Sequence, residues 1–193
     1  MHPFLTQYNE VALPKLKEFK NYESTYQIPS VSKVSVNCGL GDVMTNDKQI
    51  EEVSKLIGLI TGQKPVETKA RKAISGFKIR QNMVIGLKVT LRGARMHDFL
   101  AKLTQIALPR TRDFRGLKPS AITADGNLNI GIKDSMIFPE APQEAGNHGI
   151  QITVVSSATS MEEARLLFES LGFVFSTEEI ETKKSGKRSG KRK

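Results

Sequence analysis

The amino-acid sequence predicts an α+β fold, a two-layer sandwich whose mostly antiparallel sheet has helices on one face and leaves the other open. Three observations predict it. Three segments repeat apolar residues at the helical period, and four others alternate apolar and polar residues at period two. The polar faces of those alternating segments hold cations and hydrogen-bonding side chains and very few acids.

The first helix is expected over Asp47–Thr61, with Ile50, Val53, Leu56, Ile57 and Ile60 on one stripe. Asn46 is placed to cap it, Gln49 follows three residues later, and Gly62 is placed to end it. The second covers 94–107, with Met96, Phe99, Leu100, Leu103 and Ile106 inward and Pro109 as its stop. The third starts at a capping box of Ser160 and Glu163, buries Met161, Ala164, Leu167, Phe168 and Leu171, and ends at Gly172. A weaker helix spans 5–19, where Pro14 must kink or divide it.

Strands are expected over 32–38, 85–92, 127–133 and Ile150–Ser156. Their aliphatic sides carry Val34 and Val36; Ile85, Leu87, Val89 and Leu91; Leu128, Ile130 and Ile132; and Ile150, Ile152 and Val154. Their other sides carry Lys33, Ser35 and Asn37; Lys88, Thr90 and Arg92; Asn127, Asn129 and Lys133; and Gln151 and Thr153. A solvated sheet face is common, but it normally mixes charge signs, and this one is one-sided.

The net charge of +9 is unevenly distributed. Residues 183–193 (KKSGKRSGKRK) hold seven basic residues and no acid, so the rest of the chain amounts to only +2. Within that body, residues 64–115 hold 13 basic and three acidic residues, and the remainder is acidic. A short charge run is usually a solvated face. A concentrated basic stretch in an acidic body points instead to a specific anionic partner. The chain is expected to form one domain over 1–175 with long functional loops. Residues 176–193 form a basic extension whose Lys/Arg/Gly/Ser end has nothing apolar to bury.

Two stretches carry most of the cations. Residues 62–80 space Lys64, Lys69, Arg71, Lys72, Lys78 and Arg80 around Gly76 and Phe77, a density that suits a phosphate backbone. Phe77 either stacks on a base or sugar or plugs the core. Residues 107–121 put Arg110, Arg112, Arg115 and Lys118 in a loop bounded by Pro and Gly. Arginine's planar fork suits phosphate or carboxylate there, and Asp113 is placed to pair with one of them.

Catalytic and metal constellations are weak. His2, His97 and His148 are scattered, and His97 reads as a helix-surface or packing residue. The sole cysteine, Cys38, allows no intrachain disulfide and fits a reducing compartment. There is no CxxC, HxxxH or GK[ST] motif, and Gly39 and Gly41 lack the third glycine of a dinucleotide fingerprint. The acidic pairs Glu51–Glu52 and Glu162–Glu163 open helices, where the dipole accounts for them. No cofactor and no membrane partner is expected. The start of the chain has no signal-peptide pattern, which predicts a cytoplasmic protein or one made in an organelle matrix.

The runs QIPSVSKVSVNCGLGD (27–42), TGQKPVETKARKAISGFKIR (61–80), IGLKVTLRG (85–93), ALPRTRDFRGL (107–117) and GIKDSMIFPE (131–140) make the resemblance specific. Over about 8–175 the chain closely resembles the family of the universal large-subunit ribosomal protein number five, in its bacterial or organellar form. The resemblance implies an α+β, non-enzymatic constituent of the central protuberance. Such a protein binds 5S ribosomal RNA, helps incorporate it, meets the elbow of P-site transfer RNA and bridges to a protein of the small-subunit head. Large-subunit ribosomal RNA and other 5S-binding ribosomal proteins are implied as neighbours.

By motif position, Asn37, Gln63 and Thr90 resemble the family's polar contacts to 5S RNA. With Lys64, Thr68, Lys88 and Arg92 they form the expected 5S-binding set. The loop of Ile74, Ser75, Gly76, Phe77, Lys78 and Arg80 resembles the transfer-RNA-facing loop. Arg110, Arg112 and Arg115, with the later 140s loop, are similar to the bridging side. The chain departs from the family pattern at Leu128 and Asn129, at Asp134 and Ser135, over 141–149, and in the residues after Phe175. Two other classes remain to be separated from a ribosomal component. A free RNA chaperone would not stay stoichiometric in washed large subunits, and an enzyme on RNA would show activity abolished by a point mutation.

Overall fold

A computed structural model describes residues 3–20, 22–41, 46–112, 114–142 and 146–176. The basic extension, Asp113 and residues 143–145 of the 140s loop, on which parts of the sequence reading rest, lie outside the described residues.

Five strands, β1 (Val31–Gly39), β2 (Val66–Lys69), β3 (Val84–Leu91), β4 (Leu128–Ile132) and β5 (Ile150–Ser156), form one sheet in the order β2-β3-β1-β5-β4. Every neighbouring pair is antiparallel. Alternation sets the two faces: Val34, Val36, Leu87, Val89, Leu128, Ile130, Ile152 and Val154 are buried in the core. β2 is a strand that the sequence reading did not anticipate. It is short, it lies at the sheet edge, and Val66 and Glu67 are both exposed, so it shows little of the period-two burial that marks the others.

The helices α1 (Pro3–Gln7), α2 (Leu13–Phe19), α3 (Asp47–Thr61), α4 (Gly93–Lys102), α5 (Leu108–Arg110) and α6 (Met161–Ser170) supply the second layer. Pro14 neither divides nor ends the first helical run. A π turn at Tyr8–Ala12 precedes it, and the Leu13 N–H reaches the Tyr8 carbonyl. The same device stands before Pro109: a π turn at Leu103–Ala107 carries the helix through to Arg110, so Pro109 is not a stop. The widened turn relieves the clash that a proline ring makes with the preceding helical turn. It also inserts a residue into the stripe. Ala107 and Leu108 therefore turn inward, and Ile106, expected inside, is 42% exposed.

Met161 is likewise outside, 47% exposed at the first position of α6, with Glu163 taking an inward place. Ser160 caps α6 as expected, its hydroxyl oxygen accepting from the Glu163 N–H. Glu163 does not close the box on Ser160, however; its carboxylate accepts from the N–H and hydroxyl of Thr159. Asn46 caps α3 with its backbone carbonyl alone, without a side-chain hydrogen bond. Gly62 ends α3 in the left-handed region at φ 68°, and Gly172 follows α6 at φ 91°.

Candidate nucleic-acid interface

The face of the sheet away from the buried aliphatic residues is built in rows, because directly paired residues on antiparallel strands point the same way. One row runs Val66, Lys88, Asn37, Gln151 and Gly131 across all five strands. The next runs Thr90, Ser35, Thr153 and Asn129. A third pairs Thr68 with Gly86 and Gly86 with Gly39. None of these side chains is acidic. At a strand spacing of about 4.8 Å, the rows make a surface about 20 Å across.

The expected 5S-binding set is brought together in part by this register. Asn37 and Lys88 are paired directly, Thr90 lies one row away, and Thr68 stands opposite Gly86. Gly86 is tightly packed: an added Cβ would lie 3.0 Å from both the Cys38 carbonyl oxygen and the Thr68 hydroxyl, which would have to give way. Gln63 and Lys64 lie outside the ladder, where the left-handed Gly62 leads α3 into β2. Thr61 fixes that corner, its hydroxyl donating to the Ile57 carbonyl at 2.7 Å and accepting from the Gln63 N–H at 3.4 Å. Arg92 continues β3 at the start of α4 and is exposed.

The loop between β2 and β3 forms a separate, exposed projection. Ala70 accepts from the Asn82 N–H and donates to the Met83 carbonyl, both at 2.9 Å, so the hairpin extends past β2. Farther out, Ile74 and Ile79 exchange backbone hydrogen bonds at 2.9 and 3.1 Å, closing a small loop around a 3-10 turn at Ser75–Phe77. Lys78 reverses the chain at φ 55°. Ile74, Ser75, Gly76, Phe77, Lys78 and Arg80 are all exposed. Phe77 is 71% exposed, which rules out the core-plug reading.

Arg110 and Arg112 lie at the opposite edge, beside β4, and Arg115 follows them in the chain next to Phe114. Arg110 and Arg112 help line a cavity of about 420 Å³ whose apolar wall includes Leu108, Phe114, Ile130 and Ile137. Leu117, also on that wall, pairs in parallel with Phe175 and anchors the end of the described chain. Among the described residues none of these arginines has an acidic partner.

Other titratable groups have structural roles. Burial raises the Cys38 thiol pKa, which argues against a reactive thiolate. His97 is half-buried against Phe4, with ring centroids 5.9 Å apart. No group of His, Cys, Asp and Glu suited to a metal occurs among the described residues, and none of their helices is long and apolar enough to cross a membrane.

Alternation along the sequence places Ser35, Asn129, Gln151 and Thr153 on the open side without joining them to the binding set. Only the register shows that they continue the rows of Asn37 and Thr90.

Comparison with known proteins agrees with these motifs. The model of the ribosomal protein L5 family matches residues 24–80, and that of the ribosomal L5P family C-terminus matches 84–175. The large ribosomal subunit protein uL5 of Lactobacillus delbrueckii subsp. bulgaricus is 44% identical over 174 residues, covering 89% of this chain and 97% of that protein. The uL5 proteins of Acaryochloris marina and Synechocystis sp. are each 45% identical over 172 residues, covering 88% of this chain and 95% and 96% of theirs. On motifs, architecture and this extent of identity, the chain belongs to the ribosomal protein L5 family, in its bacterial form.

Proposed function

We infer that the protein is a structural constituent of the large ribosomal subunit, not an enzyme, and that it holds 5S ribosomal RNA on the open face of its sheet. Membership of the L5 family and the name of its bacterial relatives support the first part. The observation that carries the second is the acid-free register of Asn37, Lys88, Thr90, Ser35 and Gln151 across adjacent strands. Neutral donors and acceptors there suit base edges and sugars, while Lys88, Arg92 and Lys64 suit phosphates.

The exposed tip around Phe77 is the surface we assign to P-site transfer RNA, with Lys78 and Arg80 as phosphate partners and Phe77 and Ile74 as apolar contacts. Arg110, Arg112 and Arg115 are assigned to the bridge with the small-subunit head. The loop and the arginines belong to opposite edges of the sheet, so one subunit-bound body serves both partners. The central protuberance is the location this set of partners requires. Residues 1–175 are taken as a single folding unit and the basic extension as a salt-sensitive contact to ribosomal RNA.

The direct test is a binding titration of purified protein against 5S RNA and an unrelated structured RNA of equal length, at several salt concentrations. Preference for 5S RNA that persists at high salt is expected. Equal affinity for both RNAs would overturn the 5S assignment, and loss of the protein from salt-washed large subunits would overturn the structural role.

A further inference from the structure

The far half of the open face differs from the near half. β1 and β3 contribute Lys33 and Lys88, with Arg92 just beyond, whereas β4 (LNIGI) and β5 (IQITVVS) contain no charged residue, and the exposed Lys133 follows β4 only past its end, four residues from Asn129. A phosphate gains little from such a surface, because counterion release needs a cation.

Within that uncharged half one side chain is held in a fixed orientation. Asn129 and Thr153 are directly paired, and the Thr153 hydroxyl donates to the Asn129 carboxamide oxygen at 2.8 Å. A threonine hydroxyl has one hydrogen, and here it is spent on Oδ1. The Asn129 Nδ2 therefore keeps its two donors for an outside acceptor, and no described residue accepts from it. Access is open: two residues along β4, a Cβ added at Gly131 would have nothing within 4 Å, and the same holds at Gly39. Both pair members are half-buried, so the side chain has already lost much of the freedom that binding would cost it.

We propose that Asn129, oriented by Thr153, is a further RNA-binding residue, a fixed donor to an uncharged acceptor of the RNA on a ribose 2′-oxygen or a base edge. Thr153 is its positioning residue. The proposal rests on the RNA-binding reading above and extends it to strands that carry no cation.

The test is interference mapping on 5S RNA randomly substituted with 2′-deoxy nucleotides, with base-edge analogues or with phosphorothioates, selected by wild-type and variant proteins. Asn129→Ala and the isosteric Asn129→Asp, which keeps the acceptor for Thr153 but loses both donors, should bind about five- to tenfold more weakly. The salt dependence of Asn129→Ala should match the wild type, since no charge is lost or gained, whereas Asn129→Asp adds an anion whose repulsion of the RNA salt screens. At least one 2′-deoxy or base-analogue position that disturbs wild-type binding should become indifferent with both variants. Thr153→Val should reproduce that pattern and Thr153→Ser should restore it, with melting temperatures unchanged; the 2′-deoxy and base-analogue arms tell ribose from base. Interference patterns identical to wild type would overturn the proposal, as would suppression confined to phosphorothioates. If wild-type protein fails to prefer 5S RNA, the functional reading itself fails. If it does prefer 5S RNA and Asn37→Ala weakens binding while the Asn129 variants do not, this inference alone is lost.

Discussion

Glu163 shows how one residue ties distant segments of the chain together. Its side chain is 3% exposed, and its Oε1 accepts from Lys20 Nζ at 2.8 Å and from the Tyr22 hydroxyl at 3.2 Å. Burial by itself would raise its pKa. The hydrogen bond from Lys20, those from the Thr159 backbone and hydroxyl, and the charge of Lys20 outweigh it and bring the value down to about 2. A carboxylate depressed on folding stabilises the protein above its unfolded pKa, and that contribution is lost as pH falls from about 4.5 towards about 2. Because Lys20 is half-exposed, Glu163→Gln should cost about 1–3 kcal/mol at neutral pH. The variant should also lose part of the acid dependence in that window, measured by denaturant unfolding at both ends of it. An unchanged acid slope would refute this account. Tyr22 titrates the opposite way: burial, then the Glu163 charge and hydrogen bond, push it up to about 12, so its contribution fades as pH rises through the alkaline range. None of this was legible in the sequence. An acid in the first turn of a helix reads as a dipole complement, and nothing local shows that Lys20 and Tyr22 will meet it.

At the scale of elements, burial periodicity made α3, α4, α6 and four strands readable, since each buries one face against a single layer. It failed where the period changes. The π turns before Pro14 and Pro109 advance the inward stripe by a residue, so a constant 3.6-residue count places Ile106 inside where it is in fact exposed. It also failed at β2, an edge strand too short and too exposed to show a pattern. Glycines provide an element-level test. Gly116 sits at φ 98°, and a Cβ there would lie 2.7 Å from the Ser176 nitrogen and 2.9 Å from the Phe175 carbonyl carbon, both backbone atoms. Gly116→Ala should therefore break the Leu117–Phe175 pairing and cost about 3 kcal/mol or more in chemical denaturation. Gly39→Ala meets nothing within 4 Å and should change stability by less than about 0.5 kcal/mol. It should still weaken RNA binding, because the new methyl group stands on the open face. A stable Gly116→Ala, or a Gly39→Ala that unfolds the protein, would contradict the packing described.

For the whole molecule, the sheet weaves the chain together. β1 and β2 come from the part of the sequence matched by one family model and β3, β4 and β5 from the part matched by the other, yet β1 lies between β3 and β5. With the two parts separated, β1, β2 and β3 would each lose every partner and only β4 and β5 would stay paired, so the proposed single unit over 1–175 should unfold in one transition seen alike by far-ultraviolet circular dichroism and by fluorescence of an introduced probe; two separated transitions would refute it. The one-sided face and the basic stretch were visible in the sequence as sign and spacing. Which strands adjoin, and hence which polar residues share a row, depends on long-range pairing that no local pattern encodes. The central claim is that specificity comes from this face and salt-dependent affinity from the cations around it. The measurement that tests it most directly is 5S RNA affinity across a salt series for the wild type, Asn37→Ala and a chain lacking residues 183–193. Asn37→Ala should lose about 1–3 kcal/mol of specific binding with an unchanged salt slope, and the shortened chain should show a flatter slope while keeping its preference for 5S RNA. An Asn37→Ala protein that binds like wild type, beside a shortened chain that no longer distinguishes 5S RNA from unrelated RNA, would contradict it.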